Sequence, residues 1–383
     1  VSGYTIPWES EDVAIARESA RRFFEQEFAP NVDGWVRQGI VDREAWNKAG
    51  AAGINCASIP EQYGGAGGSF AHEAVIIEEL EKSGVGINFG HVVHSTINAH
   101  YILAYGTEEQ KKRWLPRMAT GEMVTAIAMT EPGTGSDLQG VRTTARKDGN
   151  QYVVDGAKTF ITNGQHADMI LVVAKTGDGK PSENISLVAV EAEGSDGFRR
   201  GRNLEKMGCK GSDTSELFFD EVRVPPENIL GGEEGRGFVQ LMQQLPQERL
   251  GIAVGAVAAI ERSVALASEY VKERKAFGQR LIDFQNTRFV LAECKTEAHI
   301  ARVFLDNCIM RHLDGQLDTA TASMAKWWTT QKQNEIVDRC LQLFGGYGYM
   351  TEFPISRMYT DARVQKIYGG TNEIMKELIS RTL

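Results

Sequence analysis

A chain of 383 residues, 42% hydrophobic and 24% charged, exceeds what one hydrophobic core usually serves and has the composition of neither a disordered nor a fibrous protein. Its formal charge of -9, with no lysine/arginine block, excludes a general nucleic-acid surface, and no stretch approaches the ~18 to 20 continuous apolar residues of a membrane span. From about residue 9 to 121 the apolar residues recur at helical spacing, as in "VAIARESARRFFEQEF" and "HEAVIIEELEKSG", around a glycine-rich break "EQYGGAGGSF" at 61–70. In the same stretch His91 and His94 share a helix face with His100 nearby. Without a cysteine or carboxylate at ligand spacing they read as pocket-lining or structural rather than as a metal site.

Around Glu122 the pattern changes to period-two, β-branched runs such as "VTAIAMTE", "DMILVVAKTGDG" and "SELFFDEVRVPPENIL", which predict a compact antiparallel β domain over roughly 122–232. Within it "KDGNQYVVDG" is a hairpin signal, because Asp148-Gly149 supplies the positive φ that such turns require. After "GGEEGRGF" the helical period returns to the end of the chain, and the small residues of 249–271 suit close helix packing. The expected plan is therefore α+β, with a helical domain at 1–121, a β domain at 122–232 and a helical domain at 233–383. The five cysteines, Cys56, Cys209, Cys294, Cys308 and Cys340, are widely spaced, odd in number and never C-x-x-C, which fits a reducing compartment. Cys294 and Cys308 read as packed small hydrophobes. The first residues do not form a signal peptide, so the expected location is the cytoplasm, or the mitochondrial matrix had a targeting segment been removed.

Neither G-x-G-x-x-G nor G-x-x-x-x-G-K-[ST] occurs, so a Rossmann or P-loop nucleotide site is unsupported. "AMTEPGTGSD" at 128–137 ends a strand in a turn whose backbone N–H groups are free for an anionic or heteroaromatic ligand. "FITNG" at 160–164 adds an apolar plate and a hydroxyl at another strand end. "RKAFGQ" at 274–279, "DFQ" at 283–285, "QLFGGYGYM" at 342–350 and "GGTNE" at 369–373 complete the set.

With "KMGCKGSDT" and "FFDEVRVP" added, these motifs resemble, in order and along the whole chain, the acyl-CoA dehydrogenase flavoenzymes, and within them the long-chain members most. The resemblance implies a middle β-barrel-like domain, a C-terminal four-helix bundle, an FAD cofactor and a homotetramer. It also implies an acyl-CoA substrate and an electron-transferring flavoprotein as acceptor. It puts Ile127, Met129, Thr130, Gly135 and Ser136 along the isoalloxazine and the channel mouth, with Ser136 also touching the CoA part of the substrate. Phe160 would cover a ring face where many relatives carry Trp, and Thr162 would bond near flavin N5. Arg274, Phe277, Gln285, Gln342, Leu343, Gly345 and Gly346 would come from a neighbouring subunit to hold pyrophosphate and adenosine, and Thr371, Asn372 and Glu373 would offer a helix N-terminus to the phosphates.

Dehydrogenation at Cα–Cβ needs a carboxylate for the α-proton and donors for the enolate oxygen. Many members of the family carry Glu after the tyrosine of "KIYGGTNE", but here Tyr368 is followed by Gly369 and Gly370. In a subset that includes the long-chain and isovaleryl enzymes, the Glu projects instead from the helix across the cavity, just before an Arg. This chain has "QLPQERLGI" there. Glu248 is therefore assigned as the base, Arg249 as a substrate contact, and the Gly369 N–H as the oxyanion donor. On this reading Gly369 leaves its side-chain volume empty for Glu248 to reach across, and Pro246 bends the helix at that point. Gly86 and Gly90 are expected to leave the channel deep, favouring a long or branched acyl chain. Two alternatives stay open: an isovaleryl-type or branched short-chain enzyme, and a catalytically silent acyl-CoA-binding paralogue.

Overall fold

The computed structural model describes residues 3–180 and 182–383. The helical periodicity of the first third resolves into α1 (Glu11–Phe23), α2 (Val32–Gln38), α3 (Arg43–Ala51), α4 (Phe70–Ser83), α5 (Ala99–Tyr105) and α6 (Glu108–Thr120). Their ends follow local chemistry. Ser69 with His72, and Thr107 with Gln110, form capping boxes that open α4 and α6, while Gly84 and Gly121 close the same helices in left-handed conformations. The π-helical turn Val92–Asn98 feeds directly into α5.

The alternating runs then form β1 (Thr125–Ala128), β2 (Thr144–Asp148), β3 (Gln151–Thr162), β4 (Met169–Lys175), β5 (Ile185–Glu191), β6 (Phe198–Asn203) and β7 (Thr214–Val224) in one curled sheet. The β2–β3 hairpin turns at Asp148-Gly149, with Gly149 at φ +59°. The sheet departs from the purely antiparallel expectation on one side: β4 pairs antiparallel with β5 but parallel with β1 and, at one point, with β2. Such a pairing joins strands distant along the chain, which alternation within a strand cannot report.

The rest of the chain is α7 (Gly237–Glu273), the short hairpin β8 (Lys275–Ala276) and β9 (Gln279–Arg280), then α8 (Gln285–Leu313), α9 (Thr319–Gln342), α10 (Pro354–Ala362) and α11 (Asn372–Ser380). By length and composition α7 is apolar enough to cross a membrane, but it is the central helix of the bundle and packs on α4, α8 and α9. Valines and alanines at 253–260 close this core against Phe70, Ala74 and Ile77 of α4. The helix passes Pro246 without a break. Along this axis, at one point, α7 buries a carboxylate inside the protein.

Candidate active site

That point is Glu248. It is 5% exposed, and its Oε1 accepts a 2.6 Å hydrogen bond from the hydroxyl of Tyr101 on α5. Burial raises its carboxyl from 4.5 to about 7, with the Tyr101 bond and the charge of Arg249 pulling partly back. A carboxyl held near neutrality can both take and hold a proton at working pH, which a surface glutamate cannot. Arg249 projects elsewhere and makes no ion pair with it. Also buried, it touches Ser323 Oγ only at 3.5 Å, and its Nε has no partner.

Across the site runs the Gly369-Gly370 turn, both residues left-handed at φ +63° and +88°. Neither amide donates a hydrogen bond among the described residues. The space beside Gly369 is not empty as the sequence suggested. A Cβ there would fall well inside contact with Ile252 Cδ1, one helical turn beyond Glu248. Gly369 is thus favoured by its positive φ, and any side chain there would also have to displace the end of Ile252.

The sheet supplies the next group. Ile127 lies on β1, and Met129, Thr130, Gly135 and Ser136 follow it, the last two exposed. Lys158, fully buried, donates to Met129 O (3.0 Å), Val173 O (2.8 Å) and Glu131 Oε1 (2.9 Å). Glu131 in turn accepts from the Arg142 and Thr143 amides, so the 129–136 loop is tied to β3 and β4. Thr162 pairs with Thr214, while Phe160 sits at a bulge with φ +60° and is 67% exposed. A phenyl plate turned outward from a strained position fits a ring face to be covered.

Arg274, Gln342, Leu343, Gly345 and Gly346 come together elsewhere, in a groove of ≈ 530 Å³ with Tyr270 and Tyr347. The Arg274 guanidinium lies 5.4 Å above the Tyr347 ring, and a Cβ on Gly345 or Gly346 would meet open space. Phe277, at the tip of the β8–β9 hairpin, is almost wholly exposed, and Gln285 opens α8. This suits an anionic, ring-bearing ligand: a fixed cation, an aromatic wall and backbone that can be approached closely. No hydrogen bond or ion pair among the described residues joins this groove to the Phe160 group. Of the helix-opening trio, Thr371 caps α11 by accepting from the Ile374 amide, Asn372 is turned into the bundle, and Glu373 stays on the surface.

Several expectations change. Gly86 and Gly90 do not leave a channel open: a Cβ on the first would strike Glu81 Oε2 at 2.7 Å, and one on the second would overlap the Asn163 side chain. Side chains packed against the two glycines explain both. By contrast, on Gly251 and Gly255 of α7 a Cβ would have only ordinary contacts at 3.7 to 3.9 Å with Ile77, Val92 and Thr96. His91, His94 and His100 are engaged inside the N-terminal helices, with Glu73, with Thr125 and Met118 O, and with Ser58. Sequence reasoning missed Tyr101, Ile252 and Lys326. No local signal marks them, since each acts through a partner far away in the chain.

Residues 10–122, 126–222 and 235–383 match the models of the N-terminal, middle and C-terminal domains of acyl-CoA dehydrogenases. The chain is 50% identical to the long-chain specific acyl-CoA dehydrogenase of Sus scrofa mitochondria, over 96% of this chain and 86% of that one. It is 36% identical to the short-chain specific enzyme of Megasphaera elsdenii, over 93% of each. The crystal structure of an acyl-CoA dehydrogenase from Geobacillus kaustophilus superposes with a TM-score of 0.96 at 48% identity, covering 99% of both chains.

Proposed function

The chain belongs to the acyl-CoA dehydrogenase family of FAD-dependent oxidoreductases, and on that premise we propose that it converts a long-chain acyl-CoA to the trans-2-enoyl-CoA with Glu248 as base. The observation that carries the base assignment is the buried carboxyl of Glu248, held by Tyr101 one helical turn before Ile252, which lies against Gly369. FAD, when bound, supplies the acceptor at N5 for the hydride that leaves Cβ. Glu248 takes the α-proton as that hydride departs, and the electron pair of the Cα–H bond becomes the new double bond. The unpartnered Gly369 N–H receives the thioester oxygen while negative charge develops on it. The charge of Arg249, also buried, pulls the Glu248 carboxyl partly back towards its ionised form.

Two groups of residues would hold the cofactor. The loop 127–136 with Phe160 and Thr162 would face the flavin ring. Arg274, Phe277, Gln285 and the 342–346 loop would reach the pyrophosphate and adenosine of a neighbouring copy. The full reading is a homotetramer with an electron-transferring flavoprotein as electron acceptor. The exposed apolar residues Phe289, Ile300, Val303, Met310 and Leu313 of α8 give the copies a surface to share.

The long-chain reading is supported by the Sus scrofa relative. It is tested by anaerobic flavin bleaching with thioesters from butyryl to palmitoyl, and with isovaleryl-CoA. The expected kcat/KM rises by about tenfold or more from the short to the long members, as each buried CH₂ contributes up to ~0.8 kcal/mol. A sharp butyryl or isovaleryl optimum overturns the chain-length reading, and a flavin that never bleaches leaves a silent binder.

Tyr101→Phe probes how the base is tuned. Its hydroxyl stabilises the ionised carboxylate, so its loss raises the Glu248 value further above about 7. The acidic limb of the pH profile for flavin reduction should move towards alkaline pH by on the order of one unit. A limb that stays in place removes Tyr101 from the mechanism.

A further inference from the structure

Lys326, in the middle of α9, is 0% exposed, and no carboxylate lies within ion-pairing distance among the described residues. Lysine is almost never buried in this way unless paired, because removing an ammonium from water is costly. Its hydrogen bonds go to two acceptors on one short segment: the Gly370 carbonyl at 2.7 Å and Asn372 Oδ1 at 3.1 Å. Asn372 is fixed in turn by Thr330 Oγ1 at 3.2 Å. The nearest charges are Arg249, which repels the ammonium, and Glu373, which attracts it; burial, the largest influence, lowers its value to about 7. A group so placed is held against its own solvation by what it positions.

What it positions is the most permissive backbone in the site. Gly369 and Gly370 are consecutive left-handed glycines without Cβ atoms to limit their rotation. Upstream, the amides of Ile367 and Tyr368 both donate to the Val364 carbonyl. Beside the turn, Ile252 Cδ1 packs on Gly369 and Met375 Cε on Gly370. Downstream the hydrogen-bonding tether is Lys326, which bridges residues 370 and 372. The Thr371 cap and the Thr330 bond to Asn372 hold the start of α11 in any case, but among the described residues Lys326 supplies the one hydrogen bond made by a backbone group of Gly369 or Gly370, and without it the Gly369 N–H loses its fixed direction.

We propose that Lys326 is a positioning residue for dehydrogenation: by clamping the Gly370 carbonyl and the Asn372 side chain, it aims the Gly369 N–H at the thioester oxygen. The inference rests on the function proposed above and adds to it a residue that never touches the substrate.

The test is Lys326→Met, which keeps the length of the side chain and removes the donor. The expected variant retains FAD, melts within a few degrees of the parent and binds acyl-CoA with a Kd within about threefold. Its single-turnover flavin reduction slows by ~10- to 100-fold, the scale of a misdirected oxyanion donor. A reduction rate within twofold of the parent overturns the proposal. So does a parallel collapse of melting temperature, FAD content and substrate affinity, which would mark a purely structural lysine. If Lys326→Met cannot be isolated with FAD, Lys326→Leu, which likewise lacks the donor, is judged by the same criteria. Failure of the proposed function is read separately, as wild-type protein whose flavin acyl-CoA does not reduce, or as a Glu248→Gln variant that stays active.

Discussion

Glu248→Gln should give a folded, FAD-loaded protein whose flavin is bleached by acyl-CoA ~10²- to 10⁴-fold more slowly than the parent's, the range spanned by a positioned general base. The substitution changes little else at the site. An amide fits the same volume and can still accept from Tyr101, but it cannot take the α-proton. Anaerobic stopped-flow mixing measures the effect directly, and retention of most of the rate would end the assignment. The same variant carries a second signature in its stability. In the folded chain Glu248 keeps its proton up to about 7, whereas a carboxyl with the ordinary value of 4.5 releases it far earlier. Between these values the folded state binds more protons, so this group's contribution to stability is full below pH 4.5 and is lost as pH rises through 7. Against the parent, Glu248→Gln should therefore gain about 3 kcal/mol between pH 4.5 and 8, measured by denaturant unfolding at both. A stability difference independent of pH would mean that the carboxyl is not held in a dry site.

Gly369→Ala should lower the rate of flavin reduction by about tenfold or more, through two separable effects. A residue with a Cβ at φ +63° costs roughly 1 to 2 kcal/mol in backbone strain. The added methyl also displaces Ile252 Cδ1, the end of a side chain one turn beyond Glu248. Ile252→Val removes that one atom. The double variant Gly369→Ala/Ile252→Val should recover most of the second loss and none of the first, giving a coupling of about 1 kcal/mol in a double-mutant cycle on kcat/KM. Strict additivity would show that the isoleucine and the turn do not meet.

Local pattern carried the architecture a long way. The change of period near Glu122 and its return after "GGEEGRGF" separate helices from strands, because side-chain direction repeats every 3.6 or every 2 residues whatever the partner. Motif order was equally legible: "TEPGTGSD", "RKAFG" and "FGGYGY" placed the chain in its family, and "QLPQERLGI" singled out Glu248 once Gly369 stood in place of a carboxylate. The parallel pairing of β1 with β4 was not legible, since strand partners are chosen by the whole sheet. Nor were the roles of glycines. Gly86 and Gly90 look in the sequence no different from Gly251 and Gly255, yet the first pair is crowded and the second is not.

The sequence by itself determined which chemistry is present: a carboxylate and an arginine on one helix, a double-glycine turn, and a set of flavin-type motifs in family order. Only the tertiary structure decided how they are tuned. It set Tyr101 against Glu248 across 147 residues, placed Ile252 where a side chain on Gly369 would go, and buried Lys326 under the Gly370 carbonyl. The reason is physical: a carboxyl's proton affinity and a turn's orientation depend on solvent exclusion and on contacts made across the fold, and neither leaves a trace in the residues next to it along the chain.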